Sequence, residues 1–422
     1  MITDKRSCER FTMKKLSEIP TPERKKYIVV TGGQLYNKGA QAMVFITVDE
    51  IAKRYPGWEV VMLSDMDSKR DEEEKRQYQF QIQSYPGLFW GILAQGKAGR
   101  QLAAILGKKE VSRFVDLIRN AEALVDISGY ALGSNWGYKR TLFYLMRVNV
   151  AKSLGTPVYL MPQSFGPFDY RGLLGGYVLR QIGRTLHYPR IIMCREQKGY
   201  ELLRQKYGLD NVIKTPDLVL QNTGVDRENV YRNLSAWKAM EIPAHSVAVI
   251  PNQKTTLYGN PEQLFALYQK IVGTLLQQEK RVFLLYHSAE DLSICRQIKE
   301  NGFQGNDNVL VVEHEMSCLE LDDILRRFDF VIASRFHAIV HSYRNGIPAL
   351  VLGWAAKYRE LLSGFGQERF QFDVRGNLDS ARILGAVCEM CTEYERFSTD
   401  IQKKVNEIQK ENVYDYLRLE AE

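Results

Sequence analysis

Short apolar runs alternate along the chain with longer stretches in which apolar residues recur at helical spacing. In the first half the apolar runs span residues 27–31, 58–63, 123–127, 157–161 and 190–194. Amphipathic stretches of helical length lie between them, and glycine-containing turns follow three of the runs. This alternation predicts strands and helices in turn, and therefore a parallel sheet covered by helices.

The second half repeats the pattern after a polar stretch near residues 221–245. Its apolar runs span residues 246–250, 281–286, 309–312, 330–333 and 349–352, and a helical stretch follows each of them. The chain has 422 residues, which is more than one hydrophobic core usually serves. We therefore predict an α/β protein of two Rossmann-like, doubly wound domains that face a cleft in a GT-B-type arrangement, with ligands at the carboxyl ends of the strands.

The same pattern predicts how the chain is divided. A basic polar tail (residues 1–26) precedes the N-terminal Rossmann-like domain (27–225), which carries an insertion at about residues 71–109 near the sheet edge. The C-terminal Rossmann-like domain spans residues 226–375. Helices at residues 376–422 follow it, and we expect them to cross back to the first domain.

The net charge of +7 is concentrated at one end of the chain. Residues 1–26 contain eight Lys or Arg residues and four acids, so the other 396 residues share an excess of only +3. We therefore expect no basic groove in the folded part and no nucleic acid partner. The tail is either solvated or a peripheral contact with an anionic membrane surface.

Targeting and metal-binding patterns are weak. The N-terminus lacks the apolar region of a signal peptide, and no run reaches about 18 consecutive apolar residues. We expect a cytoplasmic protein, either free or peripheral at the inner face of the membrane.

Cys388 and Cys391 form a lone C-x-x-C, and His337 and His341 lack the acid of the metalloprotease pattern. The sequence therefore predicts no metal site.

Residues 330–348 carry the strongest chemical pattern. The apolar run ends at Ala333, Ser334 is suited to cap a helix that runs to about Asn345, and Gly346 ends it. Arg335 and His337 then lie in the first helical turn and face the cleft, where free backbone N–H groups attract anions. The guanidinium suits a carboxylate or phosphate, and the imidazole suits proton transfer. Alternatively, Arg335 caps a neighbouring element and His337 is a core histidine.

A second strand end offers similar chemistry, because Arg195 directly follows the run at 190–194. Two arginines at strand ends, one in each domain, would converge on one multiply charged anion. Weaker candidates for contact with substrate are residues in glycine-containing turns or beside the cleft. These are Gly33, Asn37, Gln163, Ser164, His287 and Lys357. The turn at Gly32 and Gly33 departs from G-x-G-x-x-G, and the turn at 163–167 is equally consistent with an ordinary turn.

Several of these segments resemble the polysaccharide pyruvyl transferase family. They are residues 36–43 (YNKGAQAM), 161–168 (MPQSFGPF), 194–196 (CRE), 215–217 (TPD), 334–337 (SRFH), 346–348 (GIP) and 353–354 (GW), followed by Lys357. The resemblance covers about residues 27–375. One departure is Ala40, where many members have an acid after the Asn-x-Gly turn.

The resemblance implies a transferase that moves the enolpyruvyl unit of phosphoenolpyruvate onto two hydroxyls of a sugar as a cyclic ketal. Arg195, Arg335 and His337 match the family's donor-binding and catalytic positions. It implies no cofactor and no metal, with phosphoenolpyruvate as donor substrate and a saccharide acceptor, free or lipid-linked, in capsule, exopolysaccharide or cell-wall synthesis. We expect residues 78–94 to contact a large acceptor.

Two other functions fit the predicted fold. The first is a GT-B-type glycosyltransferase that uses a nucleotide sugar, which would place an acid on the helix after Ser334 to hold ribose; that helix offers His341, Ser342 and Arg344 instead. The second is a carbohydrate-binding protein without turnover.

Overall fold

The computed structural model describes residues 25–85, 109–234, 240–354, 356–376 and 378–419. Within these residues seven parallel strands form the sheet of the N-terminal domain. They are β1 (Tyr27–Thr31), β2 (Glu59–Leu63), β3 (Gln81–Gln83), β4 (Ala123–Asp126), β5 (Val158–Gln163), β6 (Ile191–Cys194) and β7 (Val212–Lys214). The helices of this domain are α1 (Lys38–Arg54), α2 (Glu72–Arg76), α3 (Lys109–Arg119), α4 (Gly137–Leu154), α5 (Gly172–Leu186), α6 (Gln197–Glu201), α7 (Leu218–Gln221) and α8 (Arg227–Val230).

Six parallel strands form the C-terminal sheet in the described part of the chain. They are β8 (Ser246–Ile250), β9 (Arg281–Leu284), β10 (Val309–Val311), β11 (Phe330–Ala333), β12 (Ala349–Gly353) and β13 (Gln371–Asp373). The helices here are α9 (Pro261–Gln277), α10 (Leu292–Glu300), α11 (Cys318–Leu325), α12 (Phe336–Arg344), α13 (Ala356–Gly364) and α14 (Ser380–Ile408).

Both sheets have the strand order of a doubly wound fold. The order is β3-β2-β1-β4-β5-β6-β7 in the first sheet and β10-β9-β8-β11-β12-β13 in the second. The direction of winding reverses between β1 and β4, and again between β8 and β11, which opens a crevice at the carboxyl ends of these strands. The predicted fold class is therefore confirmed, and the crevices are where ligand groups should be sought.

Alternate residues of the N-terminal strands face opposite layers, as strand geometry requires. Val30 packs toward α1 in a core that continues into the C-terminal domain. Val29 faces the opposite layer, which contains α3, α4 and α5. One face of this sheet thus packs toward the C-terminal domain. The other face is covered by α3, α4 and α5, whose outer sides point away from the sheet.

The predicted insertion begins with α2 and with β3, which is the edge strand of the sheet. Residues 86–108 lie outside the described residues, so most of the segment expected to contact the acceptor (78–94) does too. Its first residue, Tyr78, is buried and stacks near Phe45 and Tyr231. Tyr78 also lines a cavity between the two domains.

After α14, which packs against α9, the chain returns to the N-terminal domain. The Tyr414 hydroxyl lies 2.7 Å from the Thr47 hydroxyl of α1. Tyr159 donates a hydrogen bond of 2.8 Å to the Arg418 carbonyl. These contacts tie the last described residues to the first sheet. No helix among the described residues is long and apolar enough to cross a membrane.

Candidate active site

The start of α12 places polar and charged side chains at the crevice of the second sheet. Ser334 was expected to cap this helix, but Arg335 occupies the cap position. Ser334 is buried instead, with its hydroxyl 2.8 Å from the Tyr268 hydroxyl. The helix ends at Arg344, and Gly346 follows with a positive φ of 72°. The one-residue shift at the cap leaves His337 in the first turn, as predicted.

The start of α1 approaches α12 from the other domain. The Asn37 side chain caps α1 by accepting hydrogen bonds from the backbone of Gly39 at 3.0 Å and Ala40 at 3.3 Å. Gly39 lies directly against the imidazole of His337, and a Cβ at Gly39 would come within 2.2 Å of the ring. Two helix N-termini, one from each domain, therefore meet at His337, and both favour negative charge.

Arg195 is held beside this junction by groups of its own domain. One guanidinium nitrogen donates to the Asp217 carboxylate at 2.5 Å. Another donates to the Gly129 carbonyl at 2.8 Å and to the Ser164 hydroxyl at 2.7 Å. The Arg195 Nε is buried and has no hydrogen-bond partner among the described residues. The side chain is therefore oriented by several contacts while one donor stays available.

Lys357 brings a second cation to the same place from the C-terminal domain. Its Nζ lies 4.7 Å from the centre of the Phe336 ring, and the Arg195 Cζ lies 5.1 Å from the same centre. Burial and the neighbouring Arg195 charge lower the pKa of Lys357 to about 8. Two positive charges thus flank one aromatic ring, and the carboxylates of Asp217 and Glu196 lie beside Arg195 at 2.5 and 3.7 Å.

His337 is buried between these groups. Burial, followed by the charges of Arg195 and Lys357, holds the pKa of His337 well below its ordinary value. Its Nε2 lies 3.9 Å from an Asp217 carboxylate oxygen, which is too far for a hydrogen bond. Within the described residues this buried nitrogen has no hydrogen-bond partner. Buried polar atoms are normally satisfied, so the unpaired nitrogens of His337 and Arg195 point to a ligand site.

Arg335 is arranged differently from the prediction. Its Nε and Nη2 bind both carboxylate oxygens of Asp291, at 2.8 and 2.6 Å, and Nη2 also contacts Glu290 at 2.7 Å. The guanidinium is therefore paired with acids of its own domain, at the start of α10. The cation that accompanies Arg195 at the junction is Lys357. Sequence alone left this pairing open as the alternative in which Arg335 caps a neighbouring element.

Four weaker candidates line the interior more than the cleft. Gly33 is buried, and a Cβ there would overlap Val44 of α1. Gln163 is buried, and its amide is bonded to Asp126 and Tyr144. His287 is buried with neither ring nitrogen bonded in the described part of the chain, and burial lowers its pKa well below the ordinary value. Ser164 contacts Arg195 and Glu196, and so orients the cation.

Asp217, Phe336 and Gly39 are site residues that sequence reasoning did not single out. All three lie inside segments that carried the family resemblance, so that signal was present. Their roles depend on contacts between distant parts of the chain.

His341, which the sequence offered as a metal ligand, is a buried partner of Asp322, 3.2 Å away. No group of three or more His, Cys, Asp or Glu residues suited to a metal occurs in the described ranges.

Comparison with known proteins decides the family. Residues 37–355 match the sequence profile of the family described as polysaccharide pyruvyl transferase. This match covers more than half of the 422 residues. The chain belongs to the polysaccharide pyruvyl transferase family. The matched range contains Arg195, Asp217, Arg335 and His337, and Lys357 lies two residues beyond its end.

One relative of this pyruvyl transferase family chain is the amylovoran biosynthesis protein AmsJ of Erwinia amylovora. The two are 20% identical over 311 residues, which cover 70% of this chain and 72% of AmsJ. The family and this relative together support a transferase with a role in polysaccharide biosynthesis.

Solved structures resemble the fold. The UDP-GlcNAc 2-epimerase of Methanocaldococcus jannaschii is 13% identical, with a TM-score of 0.54 over 87% of this chain and 92% of that one. A ugt transferase of Siraitia grosvenorii, solved with UDP, is 11% identical, with a TM-score of 0.52 over 92% of this chain and 95% of that one. At these identities the likeness shows a shared GT-B-type fold.

Proposed function

We propose that this protein transfers the enolpyruvyl unit of phosphoenolpyruvate to two hydroxyls of a sugar during polysaccharide synthesis. A proton adds to the donor's methylene carbon, which makes the adjacent carbon electrophilic. One sugar hydroxyl adds to that carbon and loses its proton. The second hydroxyl then displaces phosphate and loses its proton, so the products are a cyclic ketal and inorganic phosphate.

The observation that carries this proposal is the junction of Arg195, Lys357 and His337. Phosphoenolpyruvate has a carboxylate and a phosphate, and two cations with two helix N-termini are suited to neutralise both in a partly dry site. The unpaired Nε of Arg195 and the unpaired Nε2 of His337, both buried, supply a donor and an acceptor that the ligand would satisfy. Arg335 is paired with Asp291, and we assign it a positioning role.

The lowered pKa values suggest separate proton-transfer roles. His337 is neutral near pH 7, because burial and two neighbouring cations oppose its protonation. A neutral imidazole is suited to accept the proton of a sugar hydroxyl. Lys357, with a pKa of about 8, is mostly protonated at the same pH and is suited to donate a proton to the methylene carbon.

A cavity between the domains has room for the acceptor. Its volume is about 320 Å³, and its walls include Leu35, Lys38 and Gln41 from the first domain and Glu315 and Ser317 from the second. Small-molecule sites usually start near this size, at about 300 Å³. Lys38 precedes Gly39, which contacts His337. Arg195, His337 and Lys357 are not among the residues that line this cavity, so a sugar bound there would have to extend past the start of α1 to reach the imidazole.

The donor can be tested before the acceptor is known. We expect phosphoenolpyruvate to raise the thermal unfolding midpoint, because a ligand that binds only the folded state stabilises it, and we expect UDP-glucose and UDP to have no effect. Stabilisation by the nucleotides alone would favour the glycosyltransferase alternative. Saccharide repeat units are then screened for phosphate release, with pyruvate ketals detected by mass spectrometry.

The proposed reaction needs neither a metal nor an organic cofactor, since charge on the donor is offset by side chains. Phosphate release should therefore be unchanged by EDTA, and a loss of activity that added divalent cation restores would contradict this part of the proposal.

We also propose that the enzyme works in the cytoplasm or at the inner face of the membrane. Fractionation of cells that express the tagged protein tests this location.

A further inference from the structure

Positive charge is concentrated in one segment of the N-terminal domain. Residues 127–195, which include α4 and α5, contain nine Lys or Arg residues and a single acid, Asp169. This local excess exceeds the net charge of +7 of the whole chain, because the remaining folded segments are acidic on balance. A sum over the whole folded part conceals this segment.

The same two helices expose large apolar side chains. Leu173, at the start of α5, is 98% exposed. Four more are between 37% and 52% exposed, namely Trp136, Phe143, Leu174 and Tyr177. Leu173, Leu174 and Tyr177 occupy one outward face of α5, while Val178 and Ile182 pack into the core. Single exposed apolar residues are ordinary, but four on adjacent helices and a fifth just before one of them form a patch.

The two helices that carry these side chains are neighbours. Their first turns are joined by Tyr138, whose hydroxyl donates to the Arg171 carbonyl at 3.0 Å and accepts from the Arg171 N–H at 3.2 Å. Exposed basic side chains lie on or next to the same helices, namely Lys139, Arg140, Arg171, Arg180 and Arg184. We call these five apolar and five basic residues the α4–α5 surface.

The α4–α5 surface begins beside the candidate active site. Gly129, which accepts a hydrogen bond from Arg195, is followed by Tyr130. The ring of Tyr130 lies 5.4 Å from that of Trp136, the residue just before α4. The surface and the cleft therefore share a rim at the carboxyl end of β4.

We propose that the α4–α5 surface docks on an anionic lipid bilayer. Apolar side chains ringed by Lys and Arg are the composition that binds membrane interfaces, because the former enter the acyl boundary and the latter pair with phosphate head groups. A charge-only partner such as nucleic acid would leave the exposed leucines without a role. This docking would hold the cleft rim against the membrane, and so present a lipid-linked saccharide to the site; that consequence alone rests on the proposed function.

Vesicle sedimentation tests the surface directly. The full-length protein should bind vesicles of phosphatidylglycerol and phosphatidylcholine, bind pure phosphatidylcholine weakly, and lose binding as salt screens the charges. Leu173→Asp with Tyr177→Asp, and separately Arg180→Glu with Arg184→Glu, should each weaken binding about tenfold or more. Lys403→Glu with Lys410→Glu makes the same charge change at exposed positions in α14 and just after its end and should leave binding within about twofold. Thermal unfolding checks that every variant is folded.

Three results would overturn the inference. The first is that the wild-type protein fails to sediment with anionic vesicles at low salt. The second is that the α5 variants bind as well as the Lys403 and Lys410 control. The third is that light scattering finds a wild-type dimer that Leu173→Asp dissociates, because the face would then be a contact between two copies. Phosphoenolpyruvate binding, measured by calorimetry on the same variants, reports the proposed donor chemistry separately and should be unchanged.

Discussion

Gly39 of the first domain touches the imidazole of His337 of the second, and the contact leaves no room for a side chain. A Cβ at position 39 would lie 2.2 Å from Cγ of His337 and 2.4 Å from its Nδ1. Glycine is therefore required here by the approach of the two domains at the proposed catalytic imidazole. This relationship makes the domain junction itself part of the site.

Gly39→Ala should displace His337 or separate the two helix starts, and so reduce the rate of phosphate release by at least about tenfold. The fold should be retained, because alanine is a good helix former at the start of α1. Gly273→Ala is the matched control, since Gly273 is within α9 with no atom near its Cβ position. It should keep full activity and gain about 0.5 to 1 kcal/mol of stability. Equal activity in both variants would contradict the role assigned to this contact.

His337→Ala should lower the turnover number by about 100-fold or more, because general acid–base catalysis contributes at least that much. The cations that hold the donor remain in this variant, so the dissociation constant of phosphoenolpyruvate should change by less than about tenfold. Steady-state kinetics and calorimetry measure the two quantities. A variant with full turnover would place the proton transfer elsewhere, and an inactive wild-type protein that binds saccharides would favour a binding protein.

Donor binding should depend on pH through Lys357. Burial and the Arg195 charge lower the pKa of Lys357 to about 8, so its ammonium is charged below that pH and neutral above it. Phosphoenolpyruvate affinity should therefore be highest below pH 8 and fall as pH rises through it. In Lys357→Arg the guanidinium stays charged, and the fall should move to higher pH. Identical profiles for the two proteins would exclude Lys357 from donor binding.

The buried pair of Asp322 and His341 should stabilise the second domain. Burial opposes the charge of Asp322, but the hydrogen bond with His341 and the Arg344 charge outweigh it and hold the pKa of Asp322 well below its ordinary value. This stabilisation is present above the unfolded-state pKa, near 3.9, and is lost as pH falls through the folded-state pKa. Asp322→Asn should cost about 3 to 5 kcal/mol at pH 7, because Arg344 is left buried without its partner.

Urea unfolding at neutral and acidic pH measures this effect. Asp400→Asn, which removes a carboxylate from an exposed pair with Lys403, is the control and should change stability by less than about 1 kcal/mol. If Asp322→Asn were equally mild, the pair would not contribute to stability.

The fold could be predicted because its signal is local. Buried parallel strands appear as short apolar runs, and all five runs named in each half contain or overlap a strand of the structure. The strands β7 and β13, which no run predicted, have three residues each and lie at sheet edges, where burial demands fewer apolar residues.

The site was only partly predictable because its contacts join distant residues. The strand ends before Arg195 and Arg335 could be identified from apolar runs, but not the direction in which each guanidinium points. Asp291 is 44 residues from Arg335 in sequence and binds it bidentately, a pairing that no local pattern encodes. The same holds for Lys357, which meets Arg195 only through the packing of both on Phe336.

Calorimetric titration with phosphoenolpyruvate at neutral pH tests most directly whether the cations at Phe336 form a donor site. The wild-type protein should bind the donor, Arg195→Met should bind it at least about tenfold more weakly, and Arg396→Met, which alters an exposed arginine of α14, should bind it like the wild type. No measurable binding to the wild-type protein, or equal affinity in Arg195→Met, would contradict the account.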